Sequence, residues 1–302
     1  MFPEALISDL KNVHAYAATP FKSNDLLSLD LDGLAGNLEF LIKNGVKVIN
    51  VGGGTGEINA LTDDELLALA ETAIQVAGDR ALILPTLRGN LKSACDLAPK
   101  FEKLGARIVL AMPPYIRHEV PENPDGIVEH FRLVAQTSGL PLLPYNIQSW
   151  PADFFERLAE IDQIIGIKDP CRTPHGLFIA IRRLGSRFVW IGNKRHQAGV
   201  LQLRFHAGIE GFTAGLINFV PEFEVELFRA VTSGNLEKTI RLQEQLAPLE
   251  YLRDIHGDAA LPKAGLDVRG LAGGDVRAPR VNVSIEGRQA LSAEMAKLRS
   301  ES

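Results

Sequence analysis

The sequence predicts an α/β fold, a (β/α)8 TIM barrel followed by additional C-terminal helices. Between residues 13 and 232, short apolar runs rich in β-branched residues alternate eight times with longer segments of helical periodicity. Such alternation favours a parallel sheet with right-handed crossovers, and eight consecutive units favour a closed barrel. An open doubly wound sheet would carry a glycine-rich phosphate loop after its first strand. At that place this chain reads ATPFKSND instead.

The predicted strands are short and apolar, and each is followed by a predicted helix. The strands cover residues 13–18, 47–51, 81–87, 107–112, 141–145, 164–168, 188–191 and 211–214. The helices cover residues 31–44, a segment from 63 onward, 92–104, 125–137, 152–161, 176–184, 197–207 and 221–232. Thr62 and Glu65 have the spacing of a capping box, which predicts that the second of these helices begins at Asp63.

The chain is predicted to divide into a barrel, residues 1–234, and a C-terminal helical extension, residues 235–302. Helical patterns at 236–253 and 290–297 flank a Gly/Pro-rich connection that reads GLAGGDVRAPRV. No composition typical of a flexible linker precedes them, so we expect the extension to pack on the outside of the barrel.

Composition and charge exclude several classes of protein. Hydrophobic residues make up 46% and charged residues 23% of the chain, which is typical of a globular domain with a substantial core. The net charge of −5 and the absence of a basic block argue against nucleic-acid binding. Cys95 and Cys171 form no CxxC pair, no apolar run reaches the roughly 20 residues of a membrane span, and no secretory leader is visible. We therefore expect a cytoplasmic protein with no membrane partner.

Lys168 is the most informative residue, because it ends the sixth predicted strand after the apolar run IIGI. Barrel enzymes build their active sites at the C-terminal ends of the strands. Burial there would lower the pKa of the lysine amine, and a neutral amine can attack a ketone to form an iminium. The iminium would act as an electron sink for cleavage of a neighbouring C–C or C–O bond. Alternatively, the side chain reaches solvent and pairs with Asp169.

The second strand ends in the glycine-rich turn GGGTGE at residues 52–57. Its backbone N–H groups and the Thr55 hydroxyl could hold a carboxylate, although a tight turn without a ligand is the other interpretation. Glu57 is expected to be structural and to tie the turn to a neighbouring strand.

Two tyrosines follow other strand ends. Tyr145 could transfer protons between Lys168 and a substrate carbonyl, or it could be a rim aromatic with a solvated hydroxyl. Tyr115, in the loop PPYIRH, carries the same two interpretations with weaker support.

No metal or cofactor is predicted. The chain has no HExxH motif, no Cys/His cluster at metal-ligand spacing and no GxSxG elbow. A metal- or phosphate-dependent aldolase would need ligand clusters that the sequence lacks.

Five motifs, in this order, resemble those of the dihydrodipicolinate synthase / N-acetylneuraminate lyase family. They are TPF at 19–21, GGTGE at 53–57, YN at 145–146, GIKD at 166–169 and GFTAG at 211–215. The resemblance implies a class I aldolase-type mechanism without a cofactor, in a homo-oligomer, a dimer or more commonly a tetramer. It implies that Lys168 is the Schiff-base nucleophile, that Tyr145 transfers protons, and that Gly54 and Thr55 contact the substrate carboxylate. We also expect substrate contacts from Thr213, in the last of these motifs, and from Tyr115.

The departures from the pattern concern the substrate. Dihydrodipicolinate synthases usually carry two hydroxyl residues in the turn, and Gly54 replaces the first. The segment IQSWP after the YN pair also lacks their usual arginine. The GGTGE turn, PPY at 113–115 and INFVP at 217–221 look closer to 5-dehydro-4-deoxyglucarate dehydratases. We predict a lyase for pyruvate, a related 2-oxo acid or a keto-deoxy sugar acid. The alternatives are a dihydrodipicolinate synthase, which condenses pyruvate with an aldehyde, and a catalytically silent binding or regulatory barrel.

Overall fold

A barrel of parallel strands forms the centre of the molecule. The computed structural model of the chain describes residues 2–114, 124–170, 175–194 and 200–298. The strands, in chain order, are β1 (Val13–Tyr16), β2 (Phe21–Lys22), β3 (Asp25–Leu29), β4 (Val48–Val51), β5 (Leu82–Leu87), β6 (Val109–Ala111), β7 (Leu142–Pro144), β8 (Gly166–Lys168), β9 (Val189–Asn193) and β10 (Gly211–Ala214).

Eight of these strands close into the barrel. They are ordered β7-β6-β5-β4-β1-β10-β9-β8, and every neighbouring pair is parallel. The two end strands of this order, β7 and β8, are joined by parallel bridges between Leu142 and Ile164 and between Tyr145 and Lys168. The sheet therefore closes on itself, which confirms the predicted (β/α)8 fold. Strands β2 and β3 form a separate antiparallel hairpin in the loop after β1.

The helices surround the barrel and continue beyond it. In chain order they are α1 (Glu4–Leu10), α2 (Leu31–Lys43), α3 (Asp63–Ala77), α4 (Leu91–Lys103), α5 (Asp125–Ala135), α6 (Ala152–Leu158), α7 (His175–Leu184), α8 (Val200–His206), α9 (Pro221–Thr232), α10 (Leu236–His256), α11 (Ala260–Val268) and α12 (Ile285–Lys297). The predicted capping box is confirmed at α3. Thr62 Oγ1 accepts a hydrogen bond from the Glu65 N–H, and the Glu65 carboxylate accepts one from the Thr62 N–H. No helix in the described part of the chain is long and apolar enough to cross a membrane.

Apolar side chains fill the inside of the barrel. Alternate residues of a barrel strand point inward, and most of the strands contribute to this filling. The buried side chains of the interior cluster are Leu6, Leu10, Tyr16, Val48, Leu82, Leu84, Ile108, Leu110, Leu143, Ile165, Val189 and Ile191. Two of them, Leu6 and Leu10, belong to α1, so this helix packs against the barrel interior. Lys168 thus lies at the end of a strand whose neighbours enclose an apolar interior.

Some elements differ from the predicted ones. Helix α1, the β2–β3 hairpin and α11 were not predicted. Observed strands are often shorter than predicted, as for β6 against the predicted 107–112. Helix α12 begins at Ile285, before the predicted 290, because the Ser284 side chain caps it by accepting a bond from the Gly287 N–H. The predicted residues 197–199 of a helix lie outside the described residues.

The segment after α10 is joined by polar contacts to α2, α3 and the β2–β3 hairpin. The Asn37 side chain donates a hydrogen bond to the Ala272 carbonyl and accepts one from the Ala272 N–H. The Arg277 guanidinium pairs with Glu65 and donates to the carbonyl of Leu26. The division of the chain at residue 235 stays a prediction. The helices beyond that point do more than cover the outside of the barrel, because they also reach its C-terminal mouth.

Candidate active site

Lys168 ends β8, and its side chain points into the barrel mouth. Only 5% of the residue is exposed, and burial lowers the pKa of its amine well below the usual value of 10.5. The charges of Asp258 and Arg253 act on it with opposite signs. Among the described residues no carboxylate pairs with it, so the alternative pairing with Asp169 is wrong. An amine with a lowered pKa is neutral in a larger fraction of molecules at neutral pH, which is the form that attacks carbonyl carbons.

Two aromatic rings enclose the Lys168 amine. Its Nζ atom lies 3.6 Å from the centroid of the Tyr145 ring and 3.8 Å from the centroid of the Tyr16 ring. Tyr145 directly follows β7, where it bridges to Lys168 in the neighbouring strand. Tyr16 is the last residue of β1, on the opposite side of the sheet order. Sequence reasoning identified Tyr145 and missed Tyr16. Strand alternation was the available signal, because it places His14 and Tyr16 on the same inward face.

His14 lies below this pair, deeper in the barrel. It is fully buried, and burial lowers its pKa to about 4, with a further contribution from the nearby Lys168. Its Nε2 atom lies 2.8 Å from the Leu10 carbonyl of α1. Since a carbonyl only accepts, Nε2 carries the proton of the neutral ring. His14 therefore carries no positive charge at neutral pH in the barrel below Lys168.

The GGGTGE turn runs close to the barrel wall. A Cβ atom added at Gly53 would lie 2.1 Å from Asn50 Oδ1, and one added at Gly56 would lie 3.0 Å from the Ala17 carbonyl oxygen. Glycine is therefore favoured at both positions, most strongly at position 53. A Cβ atom at Gly54, in contrast, meets nothing within 4 Å, and Gly54 and Thr55 both line the cavity above Lys168. These are the two turn residues that were predicted to contact a carboxylate.

Glu57 fixes the turn from the outside. Its backbone is left-handed, with φ of 63°, a conformation that is uncommon for a residue other than glycine. Its carboxylate lies 2.7 Å from Lys263 Nζ in an ion pair whose side chains are 0% and 1% exposed, and it accepts a hydrogen bond from the Arg277 N–H. Lys263 and Arg277 also cover the ring of Phe21, the last residue of the TPF motif. Glu57 is structural as expected, but its partners belong to the C-terminal segment and not to a neighbouring strand.

Asn146 and Asp169 hold the ends of β7 and β8 together. The Asn146 amide donates to Asp169 Oδ2 over 2.7 Å, and its oxygen accepts from the Trp150 N–H over 3.0 Å. Both side chains are buried. Their role in the YN and GIKD motifs is thus to align Tyr145 and Lys168.

These groups border a single cavity of about 960 Å³ at the C-terminal mouth of the barrel. The predicted residues Lys168, Tyr145, Gly54, Thr55 and Thr213 all line it. Predicted residue Tyr115 lies outside the described residues. Sequence reasoning missed that the C-terminal segment also lines the cavity, through Arg253, Asp254, Gly257, Asp258 and Arg280.

A buried charge network supports the C-terminal side of the cavity. Lys194 pairs with Glu224 and, over 2.9 Å, with Glu250. Glu250 also pairs with Arg253, whose Nε atom lies 2.8 Å from Asp258. Arg253 is thus neutralised and held in place by two carboxylates. Arg280 makes no ion pair with any described residue. Among the described residues, no cluster of three or more His, Cys, Asp or Glu side chains could hold a metal ion.

Comparison with known proteins identifies the family. The model of the dihydrodipicolinate synthetase family matches residues 9–298. The chain belongs to this family. A 4-hydroxy-tetrahydrodipicolinate synthase of Halalkalibacterium halodurans is 29% identical over 280 residues, which cover 90% of this chain and 92% of the relative. A probable 5-dehydro-4-deoxyglucarate dehydratase of Pseudomonas putida is 27% identical over 302 residues, which cover 96% and 98%.

The solved structures agree with this family membership. The crystal structure of dihydrodipicolinate synthase from Oceanobacillus iheyensis superposes with a TM-score of 0.87 and 26% identity, covering 97% of both chains. The protein is therefore a lyase of the dihydrodipicolinate synthetase family, and relatives of two different named activities match it at similar identity.

The family motifs have visible structural roles in this chain. Thr19 of the TPF motif donates a hydrogen bond to the Gly56 carbonyl over 2.8 Å, which joins the first loop to the glycine-rich turn. Asn218 of the INFVP segment binds the backbone at both Tyr16 and Ala18. Gly54, the turn position that departs from the synthase pattern, is the one glycine of the turn at which an added Cβ atom meets nothing within 4 Å.

Proposed function

We propose that this lyase forms a Schiff base between Lys168 and the carbonyl carbon of a 2-oxo acid. The observation that carries the proposal is the position of the Lys168 amine, buried and flanked by two aromatic rings at the floor of the cavity. Burial removes the water that would otherwise stabilise the ammonium form, so the amine keeps its lone pair.

The covalent step requires two protons to reach one oxygen. The Nζ lone pair attacks the carbonyl carbon, and the carbonyl oxygen takes up a proton to give a carbinolamine. Nitrogen then loses its extra proton, the hydroxyl takes up a second proton and leaves as water, and the C=N⁺ bond forms. Tyr145, whose ring contacts Nζ, is the group we assign to these proton transfers. The iminium then accepts the electron pair of a neighbouring bond as that bond breaks.

The carboxylate of the acid would lie against the glycine-rich turn. Gly54 and Thr55 line the same cavity as Lys168, and the Thr55 hydroxyl makes no hydrogen bond with a described residue. Backbone N–H groups and a hydroxyl suit a carboxylate, since both donate hydrogen bonds to it. Thr213 borders the cavity from β10 and is a further candidate contact.

We favour a keto-deoxy sugar acid as the substrate over pyruvate with a small aldehyde partner. The volume of about 960 Å³ and the charged lining from the C-terminal segment suit a hydroxylated chain. Arg280, which pairs with no described carboxylate, could bind a second carboxylate at the far end of such an acid. Gly54 leaves space in the turn where a synthase usually has a hydroxyl side chain.

Dihydrodipicolinate synthase activity is the second candidate. It is favoured by the relative of Halalkalibacterium halodurans, which bears that activity in its name and is 29% identical. In that case pyruvate would form the Schiff base and an aldehyde would react with its enamine. We also expect a homo-oligomer, a dimer or tetramer, in the cytoplasm. Light scattering of the purified protein tests the first of these.

Borohydride trapping tests the proposal. The protein is incubated with pyruvate, reduced, and analysed by intact mass and peptide mapping, with Lys168→Met as the negative variant and the exposed Lys297→Met as its control. The proposal predicts one pyruvate-sized adduct, on Lys168, in the wild type and in the control. If folded wild-type protein gives no adduct with pyruvate or with any keto-deoxy sugar acid, the Schiff-base proposal fails. The chain would then be a binding or regulatory barrel.

Turnover assays with the same protein separate the two candidate activities. Turnover of a keto-deoxy sugar acid, with release of water or CO₂, supports the first candidate. Condensation of pyruvate with an aldehyde, without turnover of the sugar acid, supports the second.

A further inference from the structure

Tyr16 contacts Lys168 Nζ from β1, which lies across the barrel from β7, the strand that Tyr145 follows. Its ring centroid lies 3.8 Å from Lys168 Nζ, so the amine sits over the face of the ring. Tyr16 also lines the cavity in which the substrate would bind. The proposed function assigns no chemical step to this residue.

The Tyr16 hydroxyl is buried and has no hydrogen-bond partner among the described residues. A buried phenol without an acceptor is unfavourable for the folded state, because it has lost its water and gained nothing in exchange. Burial also raises the pKa of Tyr16 well above 10, as does the nearby Tyr145, so the hydroxyl keeps its proton. It is thus a buried hydrogen-bond donor without an acceptor, on a residue that lines the cavity.

Contacts to its backbone and to its ring keep Tyr16 in place. The Asn218 amide donates to the Tyr16 carbonyl over 2.9 Å and accepts from the Ala18 N–H over 2.9 Å. On the other side, a Cβ atom at Gly53 would lie 3.2 Å from Tyr16 Cδ1. The ring therefore packs directly against the turn whose next residues, Gly54 and Thr55, line the cavity.

We propose that Tyr16 is a second catalytic tyrosine of this site: its ring stabilises the iminium on Lys168, and its hydroxyl donates a hydrogen bond to the carboxylate of the bound 2-oxo acid. The proposal rests on the Schiff-base function and adds to it. An aromatic face attracts a cation and not a neutral amine, so the ring lowers the energy of the iminium relative to the free amine. The hydroxyl supplies what the ring alone cannot, a donor beside the carboxylate-binding turn.

Two substitutions separate these roles. Tyr16→Phe keeps the ring and removes the hydroxyl, whereas Tyr16→Leu removes both. With pyruvate as the probe, we expect Tyr16→Phe to raise the half-saturating pyruvate concentration of borohydride trapping roughly 10-fold or more, with a maximal trapping rate within about 3-fold of wild type. We expect Tyr16→Leu to lower the maximal rate as well, by roughly 5- to 30-fold.

The controls distinguish a catalytic from a structural role. Tyr251→Phe and Tyr251→Leu make the same changes at a tyrosine that is 61% exposed on α10, and they should alter neither constant. Urea midpoints establish that each Tyr16 variant is folded, and Tyr16→Met replaces the leucine variant if that one unfolds. A purely structural tyrosine would change the urea midpoint without separating the two kinetic constants.

Each part of the inference can be overturned. If Tyr16→Phe is half-saturated at the wild-type pyruvate concentration, the hydroxyl does not bind the acid. If the maximal trapping rate of Tyr16→Leu equals that of Tyr16→Phe, the ring does not stabilise the iminium. Failure of the wild type to form any adduct would instead refute the Schiff-base function itself, so the two failures are distinguishable.

Discussion

Substitution of Lys263 by methionine should destabilise the protein and loosen the glycine-rich turn. Lys263 Nζ lies 2.7 Å from the Glu57 carboxylate, and both side chains are at most 1% exposed. Methionine fills a similar volume but leaves the Glu57 charge buried, with the Arg277 N–H as its one remaining partner among the described residues. It also removes the hydrogen bond from Nζ to the Asp275 carbonyl and the contact of Nζ with the Phe21 ring.

The magnitude follows from the loss of one partner of a buried ion pair, which costs about 3–5 kcal/mol. With an unfolding entropy of about 0.6 kcal/mol/K for a chain of 302 residues, the melting temperature should fall by about 5–8 °C. The turn residues Gly54 and Thr55 adjoin Glu57, so pyruvate should also trap less efficiently at a given concentration. Urea denaturation measures the first effect, and borohydride trapping at temperatures where the variant is folded measures the second.

A double-mutant cycle isolates the interaction. Glu57→Gln removes the charge that Lys263→Met leaves unpaired, so the double variant should lose less stability than the sum of the two single variants. Lys297→Met is the matched surface control, since Lys297 pairs with Glu294 at 68% and 26% exposure and should cost less than about 1 kcal/mol. If Lys263→Met lies within 1 kcal/mol of wild type in the same denaturation series, the ion pair does not fix the turn.

Four further changes have defined outcomes. Lys168→Met should stabilise the protein at neutral pH. Folding lowers the pKa of Lys168, so between that pKa and 10.5 the unfolded chain binds more protons than the folded one. The stability that Lys168→Met gains over wild type should therefore shrink as the pH rises, by up to about 1.4 kcal/mol per pH unit in urea titrations. The pKa of His14 falls to about 4 on folding, so stability should be lost as pH falls from about 6.5 to 4. The slope over that range should be smaller in His14→Gln, and an unchanged slope would exclude His14 as its source. Gly53→Ala should cost about 1–3 kcal/mol in urea denaturation, whereas Gly54→Ala should change stability by less than about 1 kcal/mol, and equal costs would contradict the geometry of the turn. Arg280→Gln should raise the KM for a dicarboxylic keto-deoxy acid at least 10-fold and leave that for its monocarboxylic analogue unchanged, and an equal effect on both would exclude a role in binding the second carboxylate.

The barrel could be predicted because each of its elements has a local signal. Buried parallel strands are short apolar runs, and the helices between them keep a helical period. Helix α11 escaped prediction because its sequence, ALPKAGLDV, contains Pro262 and Gly265, which both disfavour helices. Tertiary packing outweighs this cost, since a Cβ atom at Gly265 would lie 2.4 Å from the Phe219 ring. The hairpin β2–β3 was missed because β2 has only two residues, too few to show a period.

The candidate site was only partly accessible to sequence reasoning. Lys168, Tyr145, Gly54 and Thr55 were identified because they stand at or just after strand ends, where barrel topology brings residues together. Tyr16 was missed because it lies within a strand, where an aromatic residue is expected to belong to the hydrophobic core, and Tyr16 is indeed buried. The C-terminal contributions were missed for a different reason. No local pattern indicates that a chain which has completed the barrel returns to its mouth.

The position of the glycine-rich turn shows how fold and chemistry depend on each other in this protein. On its inner side the turn packs against Tyr16 and Asn50, which require glycine at position 53. On its outer side the buried Glu57–Lys263 pair connects it to the C-terminal segment. Binding a carboxylate with backbone N–H groups requires that they do not move when the ligand arrives, and a turn held on both sides meets that requirement. Among the glycines of the turn, only Gly54 faces open space, so a side chain could be added at this position without disturbing Lys168 below it.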